Sequence, residues 1–296
     1  MTRILIAGSK GQLGSELVAA AWPSATEVVA LDLPDLDLTD GAAVGSAVRD
    51  IAPALVVNAA AYTDVDGAEG EPDAAFAVNH LGCMHLAQAC GPRSVPLVHV
   101  STDYVFGGWQ SFPLREGDDA RPRCVYGASK LAGELAIREA LSRHVILRTS
   151  WLFGVAGKSF VKTMLRLAAE RDELRVVDDQ VGCPTPAHEL AAAIVEIAAR
   201  VSRDGAVPWG LYHYAGRGET SWFGFATEIF ARAQELGLPS PRLVPITTAE
   251  YPTAASRPAY SVLDCTRIDQ VMGIGTADWR PGLARVLRAL IHEDHT

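Results

Sequence analysis

The stretch from Ile4 to Gly14 constrains this chain more than any other. Ile4-Leu-Ile-Ala7 is a short apolar run ended by glycine. Gly8-Ser-Lys-Gly11-Gln-Leu-Gly14 follows, and a helical pattern then continues through Ala21. Strand, glycine turn and helix in that order are the context of a dinucleotide fingerprint. Gly8 permits the tight turn. Gly11 lets the backbone approach a pyrophosphate at the helix N-terminus, and Gly14 lets the helix pack close to the strand. The spacing is G-x-x-G-x-x-G rather than the commoner G-x-G-x-x-G. Ordinary turns also carry glycine triplets, so the surrounding pattern has to decide.

That pattern is an alternation of strands and helices. Glu27-Val-Val-Ala-Leu-Asp32 reads as a second strand ending in an acid, at an offset from Gly8 that suits a ribose-binding carboxylate. Thr39-Asp40 look like a cap for a helix over 41–51. Ala54 to Asn58 reads as a third strand, and Ala59, Ala60 and Ala61 leave room for a flat nucleotide at its end. A helix over 72–90, a strand over 98–101, a helix over 126–143 and a strand over 145–149 follow. Strands alternating with helices imply right-handed crossovers. The expected fold is an α/β, Rossmann-type doubly wound parallel sheet in residues 1–150. After Thr149 the pattern loosens. Residues 151–296 are expected to form mainly a smaller, interleaved substrate-binding α/β domain, with segments returning to the sheet. The aromatic residues from Trp222 to Phe230 read as a core stripe. Gly107 to Arg123 is long for a connection and reads as a functional loop or lid.

The chemistry lies between Val98 and Lys130. Val98-His-Val-Ser-Thr-Asp-Tyr-Val-Phe106 is a strand running into a loop, and Tyr126-Gly-Ala-Ser-Lys130 opens a helix. Tyr126 and Lys130 are four apart and so share a helix face. An ammonium beside a phenol favours phenolate and lowers the tyrosine pKa. A hydroxyl from Ser101 or Thr102 then holds a carbonyl oxygen against the phenol, which suits ketone reduction or alcohol oxidation. Taken alone, such a pair is more often a plain surface contact.

Composition narrows the partners. A net charge of −9 without a basic block argues against nucleic acid and anionic membrane. The five scattered cysteines lack a C-x-x-C and suit reduced cytosolic thiols. Met1-Thr-Arg runs straight into the first strand, leaving no room for a signal peptide. No apolar run reaches the ~20 residues of a membrane span. The expected location is cytoplasmic. His80 and His85 have the wrong spacing for a metal pair on one helix face.

Together these residues resemble the extended short-chain dehydrogenase/reductase superfamily, and within it the dTDP-4-dehydrorhamnose reductase branch. The resemblance runs nearly end to end. It includes the glycine loop, Asn58-Ala-Ala-Ala-Tyr-Thr-x-Val-Asp66, Ala68-Glu69, Ser101-Thr-Asp-Tyr-Val-Phe106 and Tyr126-Gly-x-x-Lys-x-x-Gly-Glu134. Arg148-Thr-Ser-Trp151, Phe160 to Ala168, Asp179-Gln-x-Gly-x-Pro-Thr185, Gly210-Leu-Tyr-His213 and Arg257-Pro258 also fit. It implies hydride transfer from NADPH or NADH to C4 of a dTDP-4-dehydro-6-deoxy sugar. Tyr126 is implied as proton donor, with Lys130 lowering its pKa and binding the nicotinamide ribose, and Thr102 as the third catalytic group. Gly8, Gly11, Gln12, Leu13, Gly14, Asp32, Asp37, Leu38, Ala61, Tyr62, Thr63 and Val100 are implied on the cofactor. Asp103 and Trp151 are implied on the sugar. Arg257 reads equally as a diphosphate clamp or a structural ion pair. Asp32 favours a bare ribose and Lys10 offsets its charge, so either cofactor is expected. Some members of the branch hold Mg²⁺ at a dimer contact through three glutamates. Here Glu16 and Glu189 fit two positions and Ala289 the third, with Glu293 one turn later, so the cage is incomplete. A monomer or a homodimer is expected. Two other readings stay open: a nucleotide-sugar epimerase or dehydratase on the same scaffold, and a non-catalytic regulatory subunit of the methionine adenosyltransferase type.

Overall fold

The computed structural model describes residues 2–205 and 207–293, with Glu293 by its backbone alone. The expectations that touch Met1 and the Glu293 side chain lie outside the described residues. Strands β1 (Thr2–Ala7), β2 (Thr26–Leu31), β3 (Leu55–Asn58), β4 (Leu97–Thr102), β5 (His144–Thr149) and a final strand, Gly210–His213, form one six-stranded sheet. From one edge the order is β2, β1, β3, β4, β5 and Gly210–His213, and every neighbour is parallel. The chain winds one way from β1 to β2 and the other way from β3 onward. Between β1 and β3 the connections part, and this opens a crevice beyond the carboxyl ends of the strands.

Alternate residues of each strand enter two different cores. Ile4, Ile6, Leu55, Val57, Val98 and Leu147 meet Leu13 and Leu17 of α1 (Gln12–Ala19) and Leu190, Ile194 and Ile197 of the helix Ala187–Asp204. Leu5, Val56, Leu97 and Ile146 face the other way, onto Val44 and Val48 of α2 (Gly41–Ile51), Leu86 and Ile137. Burial on both faces is why these strands read as unbroken apolar runs instead of alternating ones. Asp40 caps α2 as expected, accepting from the Ala42 and Ala43 amides.

A third core lies off the sheet. Helices Phe160–Glu170, Trp222–Glu235 and Trp279–Glu293 bury Phe153, Val161, Phe225, Ile229, Trp279 and Leu287 around the parallel strand pair Glu173–Val177 and Arg242–Ile246. The second half of the chain serves both bodies. Its helix Ala187–Asp204 covers the sheet, and its strand Gly210–His213 extends it.

Three expectations are corrected. The helix over 72–90 is broken: Pro72–Phe76 and Gly82–Cys90 are α-helical, but Ala77–Leu81 forms a π-turn. The stretch 107–123 is not a lid over the crevice. Leu114 is fully buried, and its backbone bonds to Val262 and Asp264 pin the loop elsewhere. The core stripe is only partial at its start: Trp222 is half-buried, packing against the third core while also lining the cleft, whereas Phe225 and Phe230 are fully core.

Leu17 is fully buried where α1 meets the sheet. Leu17→Ala is expected to lower the unfolding free energy by about 2–5 kcal/mol. Urea titration of the two proteins measures it, and a loss below about 1 kcal/mol would contradict this packing.

Candidate active site

A cleft of about 1460 Å³ runs from the β1/β3 crevice to the third core. The glycine loop forms one wall. Gly8 has φ +83°, and a Cβ there would come within 2.4 Å of the Ala60 amide nitrogen. Only glycine satisfies both demands. A Cβ on Gly14 would stand 2.0 Å from the Gly8 carbonyl oxygen, so Gly14 packs the helix on its own loop and does not line the cleft. At Gly11, by contrast, a Cβ would meet only the Gly8 carbonyl, at 3.5 Å, so its cleft side is open. That opening at the N-terminus of α1 fits a pyrophosphate.

The remaining positions expected on the cofactor line the same cleft: Gln12, Leu13, Asp32, Asp37, Leu38, Ala61, Tyr62, Thr63 and Val100. Asp32 accepts from the Lys10 amide at 2.8 Å and the Leu33 amide at 2.7 Å. The Lys10 ammonium turns to the Leu33 carbonyl at 2.7 Å and does not pair with Asp32. Asp37 is held below the usual carboxylate range by the Thr39 amide and hydroxyl. Gln12 donates to the Lys158 carbonyl at 2.7 Å, joining the glycine loop to the opposite wall. Asn79, in the π-turn, escaped sequence reasoning. Its amide grips both ends of the Tyr62 peptide, at 2.9 and 3.0 Å, and donates to Ser129 Oγ at 3.0 Å. Its only signal is the helical irregularity, which sequence periodicity does not reveal.

The helix Val125–Ala140 carries Tyr126 and Lys130 beneath this wall. Glu69 accepts from its first amide at 2.8 Å. Glu134 and Arg148 make a buried bidentate pair, at 2.7 Å on its shorter arm, which ties the helix to β5. Ser101 lines the cleft, but its hydroxyl donates to Glu134. Of the two hydroxyls expected at the end of β4, Thr102 is the one that hydrogen-bonds Tyr126, and it reaches a carbonyl by releasing Asp103. Thr102 donates to Asp103 Oδ1 at 3.1 Å. Lys130 is buried and donates to the Val100 carbonyl at 2.7 Å. Its pKa is lowered by burial. Tyr126 departs from expectation. Its surroundings push its pKa up through desolvation, against a hydrogen bond with Thr102, and Lys130 does not pull it down. The ammonium is committed to a backbone carbonyl instead.

Trp151 adopts a left-handed backbone, φ +47°, which is rare for a bulky residue. Two neighbours hold it there. Its indole stacks on Trp222 with centroids 3.5 Å apart, and a Cβ on Gly182 would stand 2.5 Å from it. Gln180 accepts from Trp222 Nε1 at 3.2 Å. Thus Gln180 and Gly182, from one sequence motif, build the aromatic pair. Arg257 faces the cleft but its fork is already taken by Asp66, at 2.7 and 3.2 Å. Glu16 and Glu189 are both raised by burial, and both sense Arg285. Among the described residues no helix is long and apolar enough to cross a membrane.

A glycine-lined crevice facing a strand-end hydroxyl and a Tyr-Lys helix defines an oxidoreductase of the short-chain dehydrogenase/reductase type. The chain matches the RmlD substrate binding domain family over residues 1–291 and belongs to it. It is 44% identical to the dTDP-4-dehydrorhamnose reductase of Sinorhizobium fredii, over 98% of each chain. It is also 44% identical to that of Aggregatibacter actinomycetemcomitans, over 97% of this chain and 98% of the relative. The Bacillus anthracis dTDP-4-dehydrorhamnose reductase, solved in complex with NADP, superposes with a TM-score of 0.91 at 36% identity, covering 98% of this chain and all of that one.

Asp103 is buried, and burial raises its carboxyl to about 6. A raised carboxyl favours the fold in its neutral form. That contribution is complete below the unfolded value near 4 and is lost as pH climbs through about 6. Asp103→Asn should therefore gain stability over the wild type between pH 4 and 7.5, by about 3 kcal/mol. Parallel denaturation curves at the two pH values would contradict it.

Proposed function

We propose that the protein reduces dTDP-4-dehydro-6-deoxy-L-mannose (dTDP-6-deoxy-L-lyxo-4-hexulose) to dTDP-L-rhamnose, the last step of dTDP-rhamnose synthesis, with NADPH or NADH. The observation that carries this reading is the convergence of Thr102, Tyr126 and Lys130 at the end of β4, across the crevice from the open side of Gly11. The names of the Sinorhizobium fredii and Aggregatibacter actinomycetemcomitans relatives support the substrate. The NADP held by the Bacillus anthracis relative supports the cofactor.

A bound nicotinamide cofactor supplies hydride to C4 of the sugar. Gly8, Gly11 and the start of α1 hold its pyrophosphate, and Asp32 and Asp37 face its adenosine end. Thr102 Oγ1, released from Asp103, donates to the C4 carbonyl oxygen. Tyr126 gives its proton to the alkoxide that forms there. This direction needs the phenol protonated, the form that its burial favours. Lys130 holds the ribose side of the cofactor. The third core supplies the substrate domain, with Trp151, Asp103 and the Trp222 wall around the sugar. Because Asp66 neutralises Arg257, the diphosphate calls on that guanidinium only through its remaining N–H groups. The expected setting is the cytoplasm, as a monomer or homodimer with no resident metal.

The test follows reduced-nicotinamide absorbance with enzymatically generated dTDP-6-deoxy-L-lyxo-4-hexulose, using NADPH and then NADH. Substrate-dependent oxidation is expected, and Tyr126→Phe should lower kcat by about 10²–10⁴-fold. No oxidation by folded wild-type protein with either cofactor would overturn the reading. It would leave the epimerase, dehydratase and regulatory-subunit alternatives.

A further inference from the structure

Behind the cleft, on the side of β4 that meets the helix Gly82–Cys90, a histidine is enclosed. His99 has no exposed surface. Its Nε2 lies 3.4 Å from Lys130 Nζ, and its Nδ1 lies 3.1 Å from Asn58 Nδ2. Cys83 Sγ sits 3.8 Å from both ring nitrogens. None of these groups reaches the cleft except Lys130.

An ammonium has three N–H groups. One goes to the Val100 carbonyl at 2.7 Å, and a second faces His99 Nε2. One remains for the cleft. A lysine stem is flexible, so the direction of that last hydrogen depends on both inner contacts. We propose that His99 is a positioning residue for Lys130, acting with the Val100 carbonyl to hold Nζ so that its remaining hydrogen faces the nicotinamide ribose. This rests on the roles given above to Tyr126 and Lys130.

The ring works only when neutral. A protonated imidazole donates from both nitrogens and would face Asn58 and Lys130 donor to donor. Burial, reinforced by the charge of Lys130, keeps His99 well below its ordinary value. With the Asn58 amide as it stands, its oxygen accepts from the Ala60 amide at 3.1 Å and its nitrogen faces Nδ1, so Nε2 carries the ring hydrogen and donates to a neutral Lys130 amine; to accept from the ammonium instead, the ring hydrogen moves to Nδ1 and the Asn58 amide turns over and releases Ala60.

Three substitutions separate positioning from packing. Glutamine at 99 brings an amide end close to where Nε2 stands, whereas asparagine reaches only as far as Nδ1. Leucine fills the space with no polar atom. His99→Asn and His99→Leu are each expected to lower kcat by about tenfold or more, with the sugar-nucleotide KM within about twofold. Both should also weaken NADPH binding in a fluorescence titration. His99→Gln should restore both readouts to within about threefold of wild type. If Asn and Gln behave alike, or if the loss falls in KM alone, His99 only fills space and the proposal fails. Should His99→Leu not fold, the Asn and Gln comparison decides by itself. Should wild-type protein turn over no sugar nucleotide, the reading of the active site fails, and the NADPH titration of the same variants still decides whether His99 positions Lys130.

Discussion

A buried ion pair holds the working end of this molecule together. Glu134 and Arg148 are almost wholly enclosed, with side-chain exposures of 0% and 3%. Glu134 belongs to the helix that carries Tyr126 and Lys130, Arg148 to β5, and Ser101, which also binds Glu134, to β4. One carboxylate therefore registers three elements against one another. Such a pair is no simple gain in stability, because both charges leave water. Its value is geometric: either charge alone in that interior would be costly, so arrangements that separate them are disfavoured. The position of the phenol over the strand end follows from this lock.

Small residues set the other distances. Gly8 and Gly14 remove side chains from a knot of backbone that nothing larger fits, and Gly182 does the same under the Trp151 indole. The two walls are then linked by polar clamps. Gln12 reaches Lys158 across the cleft, and Asn79 joins the Tyr62 peptide to Ser129 on the catalytic helix. The crevice is thus built from close backbone approaches, while the bonds across it come from side chains far apart in sequence.

This division explains what could be read beforehand. The strands were legible because burial on both faces makes them uniformly apolar, and α2 because Asp40 announces its start. Tyr126 and Lys130 were legible because helical spacing is local. What escaped depends on three-dimensional company. Ser101 and Thr102 are adjacent hydroxyls, yet strand alternation sends one to Glu134 and the other to Asp103. Asn79 needs a π-turn, and Trp222 looks like any aromatic at the head of an amphipathic helix. Arg257 could not be assigned until Asp66 was seen across its fork. The direction of the Tyr126 shift was not legible, because spacing locates Lys130 but does not show the burial that raises the phenol.

The order of the chain adds a constraint on how the protein is made. When residues 1–150 have left the ribosome, every residue of the glycine loop and of the Tyr-Lys helix is already present. One face of the sheet is covered only in part, by α1, since Leu190, Ile194 and Ile197 come later, and the open edge of β5 still lacks Gly210–His213. An uncovered apolar face and an unpaired strand are the features that draw chains into aggregates. The nascent reductive half is therefore sealed only by a segment synthesised some forty to sixty residues after its last strand. Exposure to aggregation is greatest in that interval.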